Sequence, residues 1–173
     1  MVLEGGSIHT DGEGTLITTK SCLLNSNRNP KLSKNEIETY LEEYLGVNKI
    51  IWLEQGIYGD EGTNGHVDGI LFFVRPGEIA LHWPEDPEDP QYEISENAYE
   101  TLSSTKDAKG RKFKIHKLPQ PKSLSFTEEE CETLDENKWT WQIEPNTEII
   151  PCYTNLYIAN DGVVVPIWND PKD

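Results

Sequence analysis

The sequence is poor in positive charge. Its 15 lysines and arginines stand against 31 aspartates and glutamates, a formal charge of -16. Surfaces that bind nucleic acid or anionic membrane need lysine and arginine to meet phosphate, so this balance argues against both partners and leaves a small cationic molecule compatible. Long apolar runs are missing too. No stretch approaches the roughly 20 residues that span a bilayer, and the opening residues lack a charged-then-apolar signal pattern. Cysteine is scarce: Cys22, Cys131 and Cys152 are odd in number and lack metal or redox spacing, which predicts reduced thiols and a cytoplasmic setting.

What is present suffices for a globule. The 173 residues are 35% hydrophobic and include five tryptophans, enough to bury one core. An α/β pattern repeats along them. Ser7 to Thr10 and Thr15 to Thr19 flank Asp11-Gly12-Glu13-Gly14 and predict a hairpin. Ser33 and Glu36 form a capping box, and Ile37, Tyr40, Leu41, Tyr44 and Leu45 follow at helical spacing up to Gly46. Asn48 to Leu53 reads as a closing strand. The order recurs from His66: Gly69 to Val74 and Glu78 to Trp83 around Arg75-Pro76-Gly77, a helix over Tyr92 to Ser103, then a strand over Lys112 to Leu118.

These readings predict a single domain over residues 1–173, with ββαβ units over about 4–53 and 66–118 and an incomplete unit over 152–173. Residues of about 119–150, rich in proline, glutamate and threonine, read as an insertion with one short helix at Thr127 to Leu134. Units of this kind bury their apolar faces only against neighbours. Halting within the third copy therefore predicts part of a larger protein, as does an opening that runs directly from Met1 into Val2-Leu3-Glu4-Gly5-Gly6.

The stretch YGDEGTNGHVDGILFFVR, residues 58 to 75, carries the candidate chemistry. A glycine-rich polar loop feeds a greasy strand, and an extended chain through His66 and Asp68 would put both side chains on one face. On its own His66 has the context of an ordinary loop histidine. Glu4, His66 and Asp68 also have the residue types of a metal site, but their spacing does not favour one. His9 and His82 read as packing or edge residues and His116 as solvated.

The segments LEGGSIHTDGEGTLITT, LLNSNRNPKLSKNEIETYLEEYLG, YGDEGTNGHVDG, FFVRPGEI, DPQYE, DAKGRKFKIHKLP and YIANDGVVVP together resemble the agmatine deiminase family. The resemblance runs along the whole chain and weakens across roughly residues 119–150. It implies the pentein fold, a ring of five ββαβ units, of which this chain would supply about half. It also implies hydrolysis of the guanidinium of agmatine to N-carbamoylputrescine and ammonia, toward putrescine, with neither metal nor organic cofactor and with a homo-oligomer as one form of the complete protein.

Residue by residue, the resemblance makes His66 the general acid and later the base. Glu4 would orient the imidazole and face substrate nitrogens, and Asp68 would accept two guanidinium N–H bonds. Asp60 is a secondary expectation, as an attraction for the distal amine, and Glu61 shares it. The nucleophilic cysteine belongs to a GGGNIHC-type segment that this chain lacks, and none of its own three cysteines has that context. Two alternatives stand beside this reading: a catalytically silent binding module or pseudoenzyme, and a peptidylarginine deiminase of the bacterial type.

Overall fold

Thr15–Thr19 is the strand on which the first half of the molecule is assembled; all five of its residues are buried. In this computed structural model the described residues are 1–133, 143–149 and 151–173. The strand, β2, pairs antiparallel with β1 (Ile8–Thr10) and parallel with β3 (Lys49–Leu53). The intervening turn is closed by Asp11, whose Oδ1 accepts the backbone N–H groups of Glu13 and Thr15 at 2.8 and 2.9 Å. A parallel β2–β3 pair requires a crossover. It is supplied by a short helix α1 (Lys20–Leu23) and by α2 (Lys34–Leu45). The Ser33–Glu36 capping box forms as its sequence predicts, and Gly46 ends α2 in the left-handed region with φ 67°.

Sheet side chains alternate between two cores. Leu16 and Trp52 face Ile37 and Leu41 of α2, together with Cys22, Leu23 and Val47. Ile17, Ile51 and Leu53 point the other way, into a larger cluster with Val67, Ile70, Leu71, Phe73, Ile79, Leu81, Ala98 and Leu102. That cluster unites the first sheet with a second one of the same order. Strands β4 (Leu71–Arg75) and β5 (Glu78–Trp83) are antiparallel, and β6 (Lys114–Pro119) lies parallel to β5. Helix α3 (Pro90–Ser104) makes the crossover, with Asp89 capping it by accepting from Gln91 N at 2.8 Å and Pro90 in its first turn. Each fully buried aliphatic side chain in these clusters contributes roughly 1.5–3 kcal/mol.

The remaining elements are small. Leu124–Ser125 (β7) pairs antiparallel with Glu148–Ile149 (β8), and α4 (Glu128–Glu132) follows β7 behind a Thr127–Glu130 capping box. The short helix was expected; the β7–β8 pair was not, because two-residue strands carry no periodicity. Leu134, the expected end of that helix, lies outside the described residues. Strands β9 (Tyr157–Ala159) and β10 (Gly162–Val164) form a separate hairpin, and all six residues are exposed. Strand β10 stops at Val164, ahead of Pro166, which has no N–H to donate. Among the described residues no helix is long and apolar enough to cross a membrane.

Candidate active site

The loop after β3 is held by a close crossing of two glycines. A Cβ on Gly56 would lie 2.5 Å from the carbonyl carbon of Gly65, so neither position has room for a side chain. The Gly65 carbonyl accepts the Thr19 hydroxyl at 2.6 Å, which ties the loop to the end of β2. Within the loop Asp60 acts as an internal cap. Its Oδ1 accepts Thr63 N at 2.9 Å, and its Oδ2 accepts Gly65 N at 3.2 Å, His66 N at 3.3 Å and the Thr63 hydroxyl. Burial would raise the Asp60 pKa, but bonds from Thr63, His66 and Gly65 hold it below the usual carboxylate value. Both Asp60 oxygens thus work on the loop. Asp60 and Glu61 also line an open cleft of about 740 Å³ with Ser21, Asn25, Tyr58 and Asn64, and Glu4, His66 and Asp68 do not line it.

His66 and Asp68 are not on an extended strand. Val67–Gly69 is a 3-10 turn, entered from His66 at φ -54° and ψ 143° and continuing to β4 through Ile70. The strand begins only at Leu71, because Val67 and Ile70 both turn into the core and a period-two chain cannot bury them together with Leu71. The two side chains nevertheless converge, across the backbone of Gly6. A Cβ on Gly6 would lie 2.4 Å from His66 Nδ1 and 2.6 Å from Asp68 Oδ2.

Glu4 meets His66 from the far side of the ring. The 3-10 turn Gly5–Ser7 follows Glu4, whose carbonyl accepts Ser7 N at 3.1 Å and the Ser7 hydroxyl at 2.6 Å. With its backbone fixed, Glu4 Oε2 stands 2.7 Å from His66 Nε2. Hydrogen bonds from His66 and then Arg28 lower the Glu4 pKa, which keeps the carboxylate ionised to receive the imidazole proton. Asp68 differs. Burial is the main influence and raises its pKa, opposed by the charge of His66. No lysine or arginine of the described residues pairs with it. A partly buried carboxylate with no cation among the described residues has the charge and the free lone pairs to accept one.

Two residues that the sequence reading left aside also reach this site. Arg28, in the polar run Asn25 to Asn29, donates from Nε to Glu4 Oε2 at 2.9 Å and pairs with the same oxygen through Nη2 at 2.8 Å. A lone arginine in such a run was the available signal. Cys22 brings its sulfur within 4.8 Å of ligand atoms of Glu4 and His66, so the three have the composition of a metal cluster. The thiol is a poor ligand, because burial pushes its pKa up to about 11 and metal binding needs the thiolate. Cys152 is likewise raised by burial, and Cys131 is free. The other histidines are accounted for by packing and surface pairing: His9 Nδ1 accepts Phe73 N at 3.5 Å, buried His82 meets Gln120 at 3.0 Å, and His116 meets Glu78 at 3.0 Å.

A family model, Porphyromonas-type peptidyl-arginine deiminase, matches residues 1–173. The chain belongs to this family. Among curated relatives it is 54% identical over 172 residues to agmatine deiminase of Medicago truncatula and 52% identical to that of Pseudomonas fluorescens, covering 99% of this chain and 46% of each relative. The solved agmatine deiminase of Enterococcus faecalis superposes with a TM-score of 0.91 at 46% identity, covering 100% of this chain and 47% of that one. A Campylobacter jejuni agmatine deiminase with substrate bound gives 0.81 at 35% identity, over 99% of this chain and 44% of that one. The chain therefore spans about half the length of the family members it matches.

Proposed function

We propose that this chain carries the acid–base and guanidinium-binding part of an agmatine deiminase. The observation that supports it most directly is the convergence of His66, held by Glu4 at 2.7 Å, and Asp68, unpaired with any cation among the described residues, on one point beside Gly6. A guanidinium is flat, positive and weakly electrophilic, so its hydrolysis needs a carboxylate to align its N–H fork and an acid for the departing nitrogen. Asp68 is suited to the first task and His66 to the second. The identities with agmatine deiminases along nearly the whole chain favour agmatine over peptidylarginine.

In this reading the thiolate comes from a segment outside the chain and bonds to the guanidinium carbon. The C–N bond to one terminal nitrogen then breaks, and that nitrogen leaves as ammonia with a proton from His66. His66, now neutral, takes a proton from water as its oxygen bonds to the thiouronium carbon, and the C–S bond breaks to release N-carbamoylputrescine and the thiolate. Glu4 stabilises the imidazolium through Nε2. Asp60 organises the loop that carries His66, and with Glu61 adds negative potential for the distal amine. The two β-α-β sheets of common order are read as successive units of a pentein ring, of which this chain would form about half.

Calorimetric titration of agmatine tests the assignment in an enzyme restored with both flanks and with its nucleophilic cysteine replaced by serine, so that no turnover intervenes. Asp68→Asn should weaken binding more than His66→Ala does. In the same enzyme with its cysteine intact, His66→Ala should slow turnover by on the order of 10²–10⁴. Equal affinity in Asp68→Asn and the parent would overturn the guanidinium role. Turnover of peptidylarginine but not agmatine by the restored enzyme would overturn the substrate.

A further inference from the structure

Arg28 is a buried cation whose three nitrogens are all hydrogen-bonded. Its side chain is 6% exposed. Of its five N–H groups, that on Nε donates to Glu4 Oε2 at 2.9 Å, and one on Nη2 donates to the Thr63 carbonyl at 2.6 Å, while Nη2 also lies 2.8 Å from Glu4 Oε2 as an ion pair. The two on Nη1 go to Asn64 Oδ1 at 2.7 Å and Asn27 Oδ1 at 3.0 Å. Burying a guanidinium is unfavourable unless its donors are met. The acceptors come from three separate places: the residue before the Gly5–Ser7 turn, the run after α1, and the loop that presents His66.

The arrangement at Glu4 is asymmetric. Oε2 accepts from Arg28 Nε, is ion-paired with Nη2 and meets His66 Nε2, whereas no described residue donates to Oε1. Arg28 thus fixes which oxygen holds the imidazole and leaves the other open. Through Thr63 and Asn64 it also ties the carboxylate to the loop two residues ahead of His66. Asn64 sits in the left-handed region at φ 59°, and Asn27 donates to its Oδ1 at 2.8 Å, so the strut is braced at that end.

We propose that Arg28 is the positioning residue of the His66–Glu4 pair: it clamps Glu4 Oε2 so that the imidazole carries its proton on Nε2, keeps Nδ1 toward the substrate side beside Asp68, and frees Glu4 Oε1 for a guanidinium N–H. This deepens the deiminase reading and rests on it for the identity of the substrate, but the effect of Arg28 on His66 is independent of that identity. Lysine cannot replace it, since an ammonium has no planar fork with which to span Glu4, Thr63 and Asn64.

The test is imidazole nitrogen NMR on the 173-residue chain, with the imidazoles neutral, for the parent, Arg28→Lys and Asn64→Gly. Glycine suits the positive φ at position 64, so that variant removes one of the two Nη1 acceptors without backbone strain. The parent should show mainly the Nε2–H tautomer. In Arg28→Lys the ratio of Nε2–H to Nδ1–H should fall roughly tenfold, and in Asn64→Gly by less, with the amide spectrum still that of the folded chain. An unchanged ratio in a folded Arg28→Lys would overturn the proposal. Should Arg28→Lys not fold, an unchanged ratio in Asn64→Gly would do the same. In the flank-restored enzyme Arg28→Lys should lower kcat by about 10²-fold while KM moves less than about threefold; a change confined to KM would instead make Arg28 a binding element. A restored parent inactive on agmatine would refute the deiminase reading while the tautomer result still decided the role of Arg28.

Discussion

Gly6 touches His66 so closely that a single methyl group on it would stand 2.4 Å from Nδ1. The backbone of one half of the site thereby forms the floor under the side chains of the other. Alanine at this position has to push His66 or Asp68 aside, and both are held by a turn whose Val67 is buried. Gly6→Ala should cost about 1–3 kcal/mol of stability by overpacking and at least about 10²-fold in turnover of the flank-restored enzyme. Thermal unfolding and ammonia release measure the two. Near-parental turnover would mean that the convergence at Gly6 does not shape the reacting geometry.

Cys22 lies beside Glu4 and His66, yet its chemistry is suppressed. With a thiol pushed up to about 11 by burial, only about one molecule in 10⁴ carries the thiolate at pH 7. The 173-residue chain should release no ammonia from agmatine, and Cys22 should resist iodoacetamide at pH 7 while denatured chain is alkylated. Mass spectrometry of the modified peptides checks this. Turnover by the chain alone, abolished in Cys22→Ala, would make Cys22 the nucleophile.

Asp68 should trade stability for function. Burial raises its folded-state pKa above the unfolded value, so the folded state binds the proton more tightly. Its contribution to stability is then fully present below the unfolded pKa, near pH 4, and is lost as pH rises through the folded pKa. Asp68→Asn removes that dependence. At pH 7 the variant should be more stable than the parent, and the difference should disappear below about pH 4. Denaturant unfolding at both pH values measures it; a variant less stable than the parent at pH 7 would show that Asp68 has a stabilising partner.

The β9–β10 hairpin should open more readily than the two larger sheets. Tyr157, Val163 and Val164 are 69%, 54% and 69% exposed, whereas Leu16, Ile17, Ile79 and Leu81 are wholly buried. Hydrogen exchange at Val163 should be fast and that at Ile17 and Leu81 close to the global limit. Equal protection would mean that the hairpin is covered in solution, by a second copy or by further chain.

Much of the architecture is written locally. The Ser33–Glu36 cap, Gly46, the turn at Asp11 to Gly14 and the alternation through Leu16 to Trp52 each act within a few residues, and dihedral preference and side-chain periodicity are enough to specify them. His66, Asp68 and Glu4 were also marked in the sequence, but by likeness to a family and not by local physics. Folding alone decided how they meet. Glu4 and His66 are 62 residues apart, and their contact depends on the first and second sheets sharing one core. The same holds for Arg28, an unremarked cation until the loop from Asp60 to His66 closes over it, and for Cys22, whose side chain packs in the helix-side core yet brings its sulfur up to the site. The 3-10 turn at Val67 overrode the extended reading for a related reason: burying Val67, Ile70 and Leu71 together repays more than strand geometry offers. Propensity and spacing describe neighbours along the chain, whereas a site is made of neighbours in space, and only packing brings those together.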